Sequence, residues 1–339
     1  MASALPKNKS TSLTKKTVWS WQSNSDPWNI KEKKEWQRYS DLTNEFIEER
    51  FQSGKREVQL DQFVIDFKHM VQMRKDDKYR QRPVKKEVIE IENHLREERF
   101  CYSEKPNKPK SFGSGSNRSP TFVSQWDKSI EDRTIPLSAI VEKACKGILK
   151  EGESIGQKFE AQMIADRLNS VKNESKDEIY KCCIQLYSME SFLYKLVNST
   201  LRNEDMSKFD SLWPYCWLLC SYIRDCGIQD ESPIAVYRGC TLTDEIIKQY
   251  EQKIGETISW LSFTSTSKDR HQAEQFGNTL FIITTQKTYF LVNAQSDIST
   301  ISDYPHEQEV LLHPGHNFIV NKVEHDSKSG RYFIYLTHS

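Results

Sequence analysis

Hydrophobic and polar positions follow a helical rhythm in the middle of the chain. Across residues 137–228 the apolar side chains recur every three or four positions, which places them on one face of a helix. The clearest series consists of Ile179, Cys182, Leu186, Met189, Leu193 and Leu196. The polar residues 173–175 form a helix start signal just before this series. The pattern predicts a helical lobe over residues 126–230.

After residue 230 the pattern changes to short β-rich runs separated by polar turns, such as residues 326–330. The runs are IAVYRG, TISWLSFTSTS, TLFIITT, YFLV, EQEVLLH, FIVNKVEH and RYFIYLT. A helix-like stretch, DRHQAEQF, lies between the second and third runs. Helices followed by a series of strands are typical of an α+β domain rather than of alternating βαβ units. We therefore predict an α+β fold with a β-rich core over residues 231–339.

A stretch of low complexity separates this domain from the N-terminal part of the chain. Residues 105–121 read KPNKPKSFGSGSNRSPT, a composition rich in Lys, Pro, Gly and Ser with a single Phe. Such a segment cannot bury enough apolar surface to order itself. We predict a flexible linker over residues 96–125, between an N-terminal module at 15–95 and a C-terminal domain at 126–339.

The net charge of zero hides an asymmetry between the two halves of the chain. Residues 1–120 hold 25 Lys and Arg against 18 Asp and Glu, whereas the remainder holds 23 against 30. A basic N-terminal region suits a polyanionic partner, but an ordinary solvated surface can have the same excess of Lys and Arg. No stretch reaches the roughly 18 apolar residues of a membrane span, and no signal peptide is recognisable. We expect no membrane association and a cytoplasmic or nuclear location.

The cysteines show no metal-binding pattern. They form no CxxC pair, and no His lies near them at zinc-ligand spacing. We therefore expect buried free thiols and no metal site. The eight positions are Cys101, Cys145, Cys182, Cys183, Cys216, Cys220, Cys226 and Cys240.

Three short motifs in the strand-rich region carry candidate chemistry: VYRG, FTSTS and DYPHEQEVL. Each alone is a weak signal, since a strand-end Arg, a Ser-Thr run or a Glu-x-Glu is usually an ordinary surface feature. In this order they resemble the Arg, Ser-Thr-Ser, Glu-x-Glu signature of the arginine-specific, clostridial-toxin-like ADP-ribosyltransferases, over residues 127–339. Poly(ADP-ribose) polymerases carry His-Gly where this chain has Arg238-Gly239, so the polymerase class is disfavoured.

The resemblance implies an ADP-ribosyltransferase fold, with a helical lobe and a mixed β-sheet core, and NAD as co-substrate. Arg238 would hold the pyrophosphate, since a guanidinium can form two parallel charge-assisted hydrogen bonds. Glu309 would bind the ribose 2′-hydroxyl and stabilise the oxocarbenium-like charge that develops as nicotinamide leaves. Ser265 would orient Glu309. Gly239 would let the nicotinamide amide approach the backbone.

Glu307 and Tyr304 are the candidate contacts to the acceptor. Glu307 lies two residues before Glu309, so in an extended segment both carboxylates would project from the same face. A guanidinium must lose a proton as it attacks, and Glu307 is placed to receive it. The resemblance also implies that the first Glu of the pair selects arginine. Tyr304 and Pro305 would form a turn that meets the protein substrate, although Tyr304 is equally consistent with an ordinary surface aromatic.

Residues 18–86 contain a series of mostly aromatic and basic positions: Trp19 or Trp21, Trp36 with Tyr39, Glu48, Gly54-Lys55, the run QFVIDFKHMVQ and the basic RPVKK. This series resembles a WWE domain, a small module whose relatives bind the iso-ADP-ribose unit of poly(ADP-ribose). The resemblance carries ring contacts to Tyr39 and Phe63, a polar contact to Gln72 and phosphate binding to Arg82. Phe63 departs from the pattern, because relatives that bind well have Tyr there. Aromatic side chains beside Arg can stack on a purine and pair with phosphate. A protein-interaction module remains the alternative.

Together these features indicate a mono-ADP-ribosyltransferase that modifies arginine. The expected partners are a protein substrate with an acceptor arginine and, through the WWE module, poly(ADP-ribose) or ADP-ribosylated proteins; direct nucleic-acid binding is not expected. Two alternatives stay open from the sequence. One is an NAD glycohydrolase, in which water replaces the arginine, and the other is a catalytically silent reader of ADP-ribose.

Overall fold

A computed structural model describes residues 15–91, 96, 122, 125, 135–226, 234–285 and 295–338. The chain divides into two compact units, one within Met1–Tyr39 and Thr43–Leu95 and the other within Ser40–Leu42 and Arg96–Ser339. The predicted linker at 96–125 lies outside the described residues apart from residues 96, 122 and 125. The predicted strand YFLV lies outside them entirely.

The first unit contains an antiparallel sheet and one helix. Within the described residues its six strands lie in the order β2-β1-β6-β5-β4-β3. Fully buried Trp19 packs its indole ring against Phe51 and Phe67, with ring centroids 5.2 and 5.5 Å away, and thereby joins the helix to the sheet. The elements are β1 (Lys15–Gln22), β2 (Trp36–Arg38), α1 (Asp41–Gln52), β3 (Glu57–Gln59), β4 (Phe63–Asp66), β5 (Val71–Arg74) and β6 (Gln81–Glu90).

The second unit begins with the predicted helical lobe, whose helices pack around a continuous apolar core. Ser175 caps the third of these helices, because its hydroxyl accepts a hydrogen bond from the backbone N–H of Glu178. The start signal seen at residues 173–175 is thus confirmed. The helices are α2 (Leu137–Ser154), α3 (Lys158–Ser170), α4 (Lys176–Ser188), α5 (Phe192–Asn203) and α6 (Phe209–Asp225).

The rest of this unit is a mixed sheet with two short helices. Within the described residues its strands lie in the order β11-β12-β9-β7-β10-β14-β13-β8, and only β10 and β14 run parallel. Helices before a mixed sheet confirm the predicted α+β fold. The elements are β7 (Ile234–Cys240), α7 (Asp244–Gln252), β8 (Thr257–Trp260), β9 (Thr264–Ser267), α8 (Arg270–Glu274), β10 (Thr279–Thr285), β11 (Gln295–Asp297), β12 (Glu309–Leu312), β13 (His316–Asp326) and β14 (Arg331–His338).

The run TISWLSFTSTS, predicted as one strand, divides into β8 and β9. Strand β8 pairs with β13 at one edge of the sheet, whereas β9 lies between β12 and β7. Phe263, at the break, packs its ring 5.7 Å from Tyr187 in the helical lobe, while Ile258 belongs to the apolar core of the sheet. The two halves of the run are therefore drawn into different cores, which breaks the strand.

The cysteines and the helices bear on two further predictions, that the thiols are buried and that the chain has no membrane span. Most of the described cysteines are free and buried, but Cys226 is exposed and Cys182 only partly buried, so buried thiols were the wrong expectation for these two. Cys101 lies outside the described residues. Within the described ranges, no helix combines the length and the apolar character that a membrane crossing requires.

Candidate active site

Three neighbouring strands, β12, β9 and β7, bring the motif residues together. In the β12–β9 pair, Glu309 lies opposite Ser267 and Leu311 lies opposite Ser265. Because opposed residues of an antiparallel pair project from the same face, Ser265 and Glu309 share a face as diagonal neighbours. Strand pairing therefore places the Ser265 and Glu309 side chains on the same face of the sheet.

Arg238 lies on β7, where this strand meets β9 at a single residue pair, Tyr237 with Ser267. Its guanidinium is buried, and Nη1 donates to the main-chain oxygen of Ser265 at 2.8 Å. The hydrogen bond fixes the guanidinium at the point where the two strands diverge. A buried, planar guanidinium of this kind is suited to pairing with an anionic group.

Gly239 follows Arg238 and contacts α8. A Cβ at this position would lie 1.9 Å from the main-chain oxygen of Ala273 and 2.7 Å from that of Phe276. Both distances are far too short for a carbon atom, so any other residue would push α8 away from β7. The structure thus gives this glycine a packing role in addition to the role expected toward nicotinamide.

The Ser-Thr-Ser motif also holds the polypeptide around the two glutamates. The Ser267 hydroxyl donates to the main-chain oxygen of Glu307 at 2.7 Å and accepts from the backbone N–H of Asp269 at 2.9 Å. The Thr266 hydroxyl donates to the main-chain oxygen of Val310 at 2.7 Å. The sequence analysis assigned a role only to Ser265. Thr266 and Ser267 could have been found from their place in the same Ser-Thr-Ser motif.

The backbone between the two glutamates is not extended, so that premise of the sequence analysis is wrong. Pro305–Glu307 form a 3₁₀ turn, Gln308 adopts the left-handed conformation with φ 46° and ψ 46°, and β12 begins at Glu309. The side chains nevertheless converge. Glu307 and Glu309 are 2% and 0% exposed. Carboxylates buried to this degree need a positively charged or hydrogen-bonding partner.

That partner is Arg96, which sequence reasoning placed in the predicted linker and did not consider. Its Nε donates to Glu307 Oε1 at 2.8 Å, and its Nη2 donates to Glu307 Oε2 and, at 3.2 Å, to Glu309 Oε2. Its Nη1 donates to the main-chain oxygen of Ser188. Burial alone would lower the pKa of Arg96, but the charge and hydrogen bonds of Glu307 and the charge of Glu309 outweigh it and hold the pKa well above its usual range.

Tyr304 lies beneath this arginine and is not a surface aromatic. The Tyr304 side chain is fully buried, and the guanidinium carbon of Arg96 lies 4.0 Å from the centroid of its ring. Its hydroxyl donates to the carboxylate of Asp41, which is the first residue of α1 but belongs with Ser40 and Leu42 to the second unit. Burial and the Asp41 carboxylate raise the pKa of Tyr304 well above its ordinary value. The ring provides a flat surface on which a guanidinium stacks.

In the first unit, strand pairing collects the residues predicted to bind a ligand. Phe63 pairs with Arg74 and Gln72 pairs with Arg82, so Phe63, Gln72 and Arg82 share one face of the sheet. The Tyr39 hydroxyl donates to Gln72 Oε1 at 2.7 Å. Arg82 Nη1 donates to two main-chain oxygens at and just after the end of β1, at 2.9 and 2.6 Å.

The described residues contain no group of three or more His, Cys, Asp or Glu side chains arranged to hold a metal ion. The two carboxylates, which are negatively charged, can pair with a cationic group, and the arginine of the sheet can pair with an anionic group.

Comparison with known families gives two matches on different parts of the chain. The sequence model of the WWE domain matches residues 17–86, and that of the NAD:arginine ADP-ribosyltransferases matches residues 162–339, more than half of the chain. A protein of Mycobacterium avium (strain 104), Mav, whose name assigns it as an NAD(+)--arginine ADP-ribosyltransferase, is 36% identical over 103 residues. The match spans 30% of this chain but only 11% of that relative.

The solved structures that align with this chain include an ADP-ribosyltransferase and a type III effector, both at low sequence identity. HopU1 of Pseudomonas syringae pv. Tomato DC3000 aligns at 18% identity with a TM-score of 0.41, covering 52% of this chain and 87% of that one. The type III effector XopAI of Xanthomonas axonopodis pv. citri aligns at 14% identity with a TM-score of 0.44, covering 64% and 96%.

Proposed function

The chain belongs to the NAD:arginine ADP-ribosyltransferase family and carries an N-terminal WWE domain, and we propose that it transfers ADP-ribose from NAD to an arginine side chain of a protein substrate. One observation carries the proposal: the carboxylates of Glu307 and Glu309 converge on a single guanidinium. Bidentate pairing with a planar fork is specific for arginine, because a lysine ammonium cannot donate to both oxygens in the same geometry.

In the proposed reaction, the bond between the nicotinamide nitrogen and C1′ of the ribose breaks, and nicotinamide leaves with the electron pair. A nitrogen of the acceptor guanidinium forms the new bond to C1′, and its proton passes to Glu307. Glu309 lies opposite the positive charge that develops on the ribose and binds the 2′-hydroxyl. Ser265, its diagonal neighbour on the sheet, orients the carboxylate.

In the same proposal, residues of strand β7 hold the donor, NAD. Arg238 binds the NAD pyrophosphate through charge-assisted hydrogen bonds from its guanidinium, and the main chain at Gly239 receives the nicotinamide amide. Tyr304 lines the acceptor side. The supporting observations are the burial and the fixed orientation of Arg238 and the stacking of a guanidinium on the Tyr304 ring.

We further propose that the WWE domain binds poly(ADP-ribose) or its iso-ADP-ribose unit, and so directs the enzyme to proteins that already carry the modification. The support is the shared face of Phe63, Gln72 and Arg82, together with the Tyr39 hydroxyl on Gln72. The aromatic ring of Phe63 provides stacking, and the guanidinium of Arg82 suits a phosphate.

The activity is tested by incubating the full chain with labelled NAD and agmatine, a small molecule that carries a guanidinium. We expect equal amounts of nicotinamide and ADP-ribosyl-agmatine. Free ADP-ribose without ADP-ribosyl-agmatine would identify an NAD glycohydrolase instead. Neither product at any agmatine concentration, from a protein that is folded by circular dichroism, would leave only a reader of ADP-ribose.

A further inference from the structure

Arg96 lies where the proposed reaction requires the acceptor arginine. We infer that Arg96 is a built-in pseudosubstrate, which occupies the acceptor site and blocks transfer to other arginines. The inference rests on the proposed function, because it concerns regulation of that same site. It follows from the partners of this one side chain.

The contacts of Arg96 use the whole guanidinium. Nε and Nη2 form a bidentate pair with Glu307, and Nη2 also reaches Glu309, while Nη1 donates to the main-chain oxygen of Ser188. The face of the group stacks on the Tyr304 ring. The side chain is 0% exposed. These are the contacts of a binding site shaped for a guanidinium, in a place that solvent does not reach.

The pairing also competes with catalysis in two ways. An acceptor arginine needs the Glu307 carboxylate, and Arg96 already binds both of its oxygens. The ribose 2′-hydroxyl and the developing oxocarbenium need Glu309, whose negative charge is partly compensated while Arg96 lies 3.2 Å away. Arg96 and an external acceptor therefore exclude one another.

A purely structural ion pair is the competing explanation, and it makes the opposite prediction. Buried charge pairs contribute little net stability, but removal of one partner is costly because it leaves the other charge buried alone. If Arg96 were only structural, its removal would weaken the protein and its activity, and a free guanidinium would restore both at most to the wild-type level. If Arg96 is a pseudosubstrate, a small guanidinium compound should take its place.

The first test measures occupancy without NAD, by thermal unfolding of the wild type and Arg96→Ala across a series of agmatine concentrations. We expect agmatine to stabilise Arg96→Ala at concentrations at least about tenfold lower than those needed for the wild type. The reason is that Arg96 occupies most acceptor sites of the wild type, which lowers the apparent affinity for agmatine. The control is Arg80→Ala, an exposed arginine of the first unit, which should behave as the wild type. Equal stabilisation of wild type and Arg96→Ala by agmatine would overturn the inference.

The second test adds labelled NAD and measures ADP-ribosyl-agmatine. We expect the KM for agmatine to fall about tenfold or more in Arg96→Ala, with little change in kcat. An unchanged or higher KM would overturn the inference. Agmatine can stabilise Arg96→Ala at lower concentrations than the wild type even if neither protein consumes NAD. In that case the inference that Arg96 occupies a guanidinium site stands, and the proposed transferase activity fails.

Two further measurements keep the inference open to refutation. If Arg96→Ala does not fold, Arg96→Lys is the second variant, because it retains the charge without the planar fork. Its KM for agmatine should lie a few-fold below that of the wild type, and a KM at or above the wild-type value counts against the blocking role.

Mass spectrometry of the Arg96 peptide after incubation with NAD should find it unmodified. ADP-ribose on Arg96 would make it an acceptor and overturn its role as a block.

Discussion

Replacement of Glu307 by Gln separates cleavage of NAD from modification of arginine. The substitution keeps the size of the side chain but removes its charge and turns one acceptor oxygen into an amide donor. In the structure both oxygens of this carboxylate accept from one guanidinium, through Nε and Nη2. An acceptor arginine bound in the same way would lose one of these two bonds and meet a donor in its place.

The magnitude follows from the lost interaction. A hydrogen bond to a charged group is worth about 1.5–3 kcal/mol, which corresponds to a loss of roughly 10- to 150-fold in arginine transfer. Cleavage of NAD should persist, because Glu309 belongs to β12 and keeps its place through strand pairing with β9. Water then becomes the remaining nucleophile.

Replacement of Glu309 by Gln should give a different phenotype, in which both activities are lost. It removes the charge that faces the oxocarbenium, and the loss of such electrostatic stabilisation costs about 10²–10³ in rate. Release of nicotinamide and transfer to arginine should therefore fall together. The two carboxylates lie two residues apart and both pair with Arg96, so the expected difference between the variants comes from which reactant each carboxylate contacts.

The assay measures nicotinamide release and ADP-ribosyl-agmatine in parallel for the wild type and both variants, with circular dichroism as a check on folding. Glu251→Gln, an exposed glutamate on α7, is a matched control and should behave as the wild type. Transfer at the wild-type rate by Glu307→Gln, or undiminished nicotinamide release by Glu309→Gln, would refute the assignment of roles.

Three other outcomes are expected. Arg238→Lys should lower nicotinamide release at least about tenfold, because an ammonium cannot reproduce the bidentate hold on pyrophosphate; turnover within twofold of the wild type would exclude that role. Burial raises the pKa of Glu160 to about 7, so the folded protein retains a proton that the unfolded chain releases above about pH 4.5, and stability should fall as pH rises from 4.5 to 7. Glu160→Gln should remove this dependence and raise the free energy of unfolding at pH 8 by up to about 3 kcal/mol, as urea titrations of both proteins would show. Arg82→Ala, but not the exposed Arg80→Ala, should weaken binding of iso-ADP-ribose in calorimetry on the full chain; no heat from the wild type at millimolar ligand would leave the WWE domain a protein-contact role.

Local patterns were sufficient to predict most elements of the second unit. Apolar spacing gave the helical lobe, and Ser175 marked the start of α4, because a cap is a property of a few neighbouring residues. Strands such as β7 and β10 were recognisable from their β-branched residues. What the pattern could not show was where Phe263 would pack, and hence that one apolar run would form two strands on different parts of the sheet.

The candidate site was predictable only in part, for the same reason. The motifs predicted Arg238, Ser265 and the two glutamates as site residues, because each motif is a short run of neighbouring residues. The conformation between the glutamates depends on Ser267 and on the left-handed Gln308, which no periodicity reveals. Arg96 carries no local signal at all, because its role arises from carboxylates more than 200 positions away in the chain.

The left-handed backbone at Gln308 separates two kinds of constraint on evolution. The backbone of residue 309 is held by hydrogen bonds of the sheet, whereas the backbone of residue 307 is held by a short turn and one serine hydroxyl. Substitutions in the turn can therefore accumulate during descent without disturbing strand pairing. Acceptor preference can diversify among descendants while cleavage of the donor persists, and a mutant library confined to residues 304–308 offers a route to enzymes that modify new side chains.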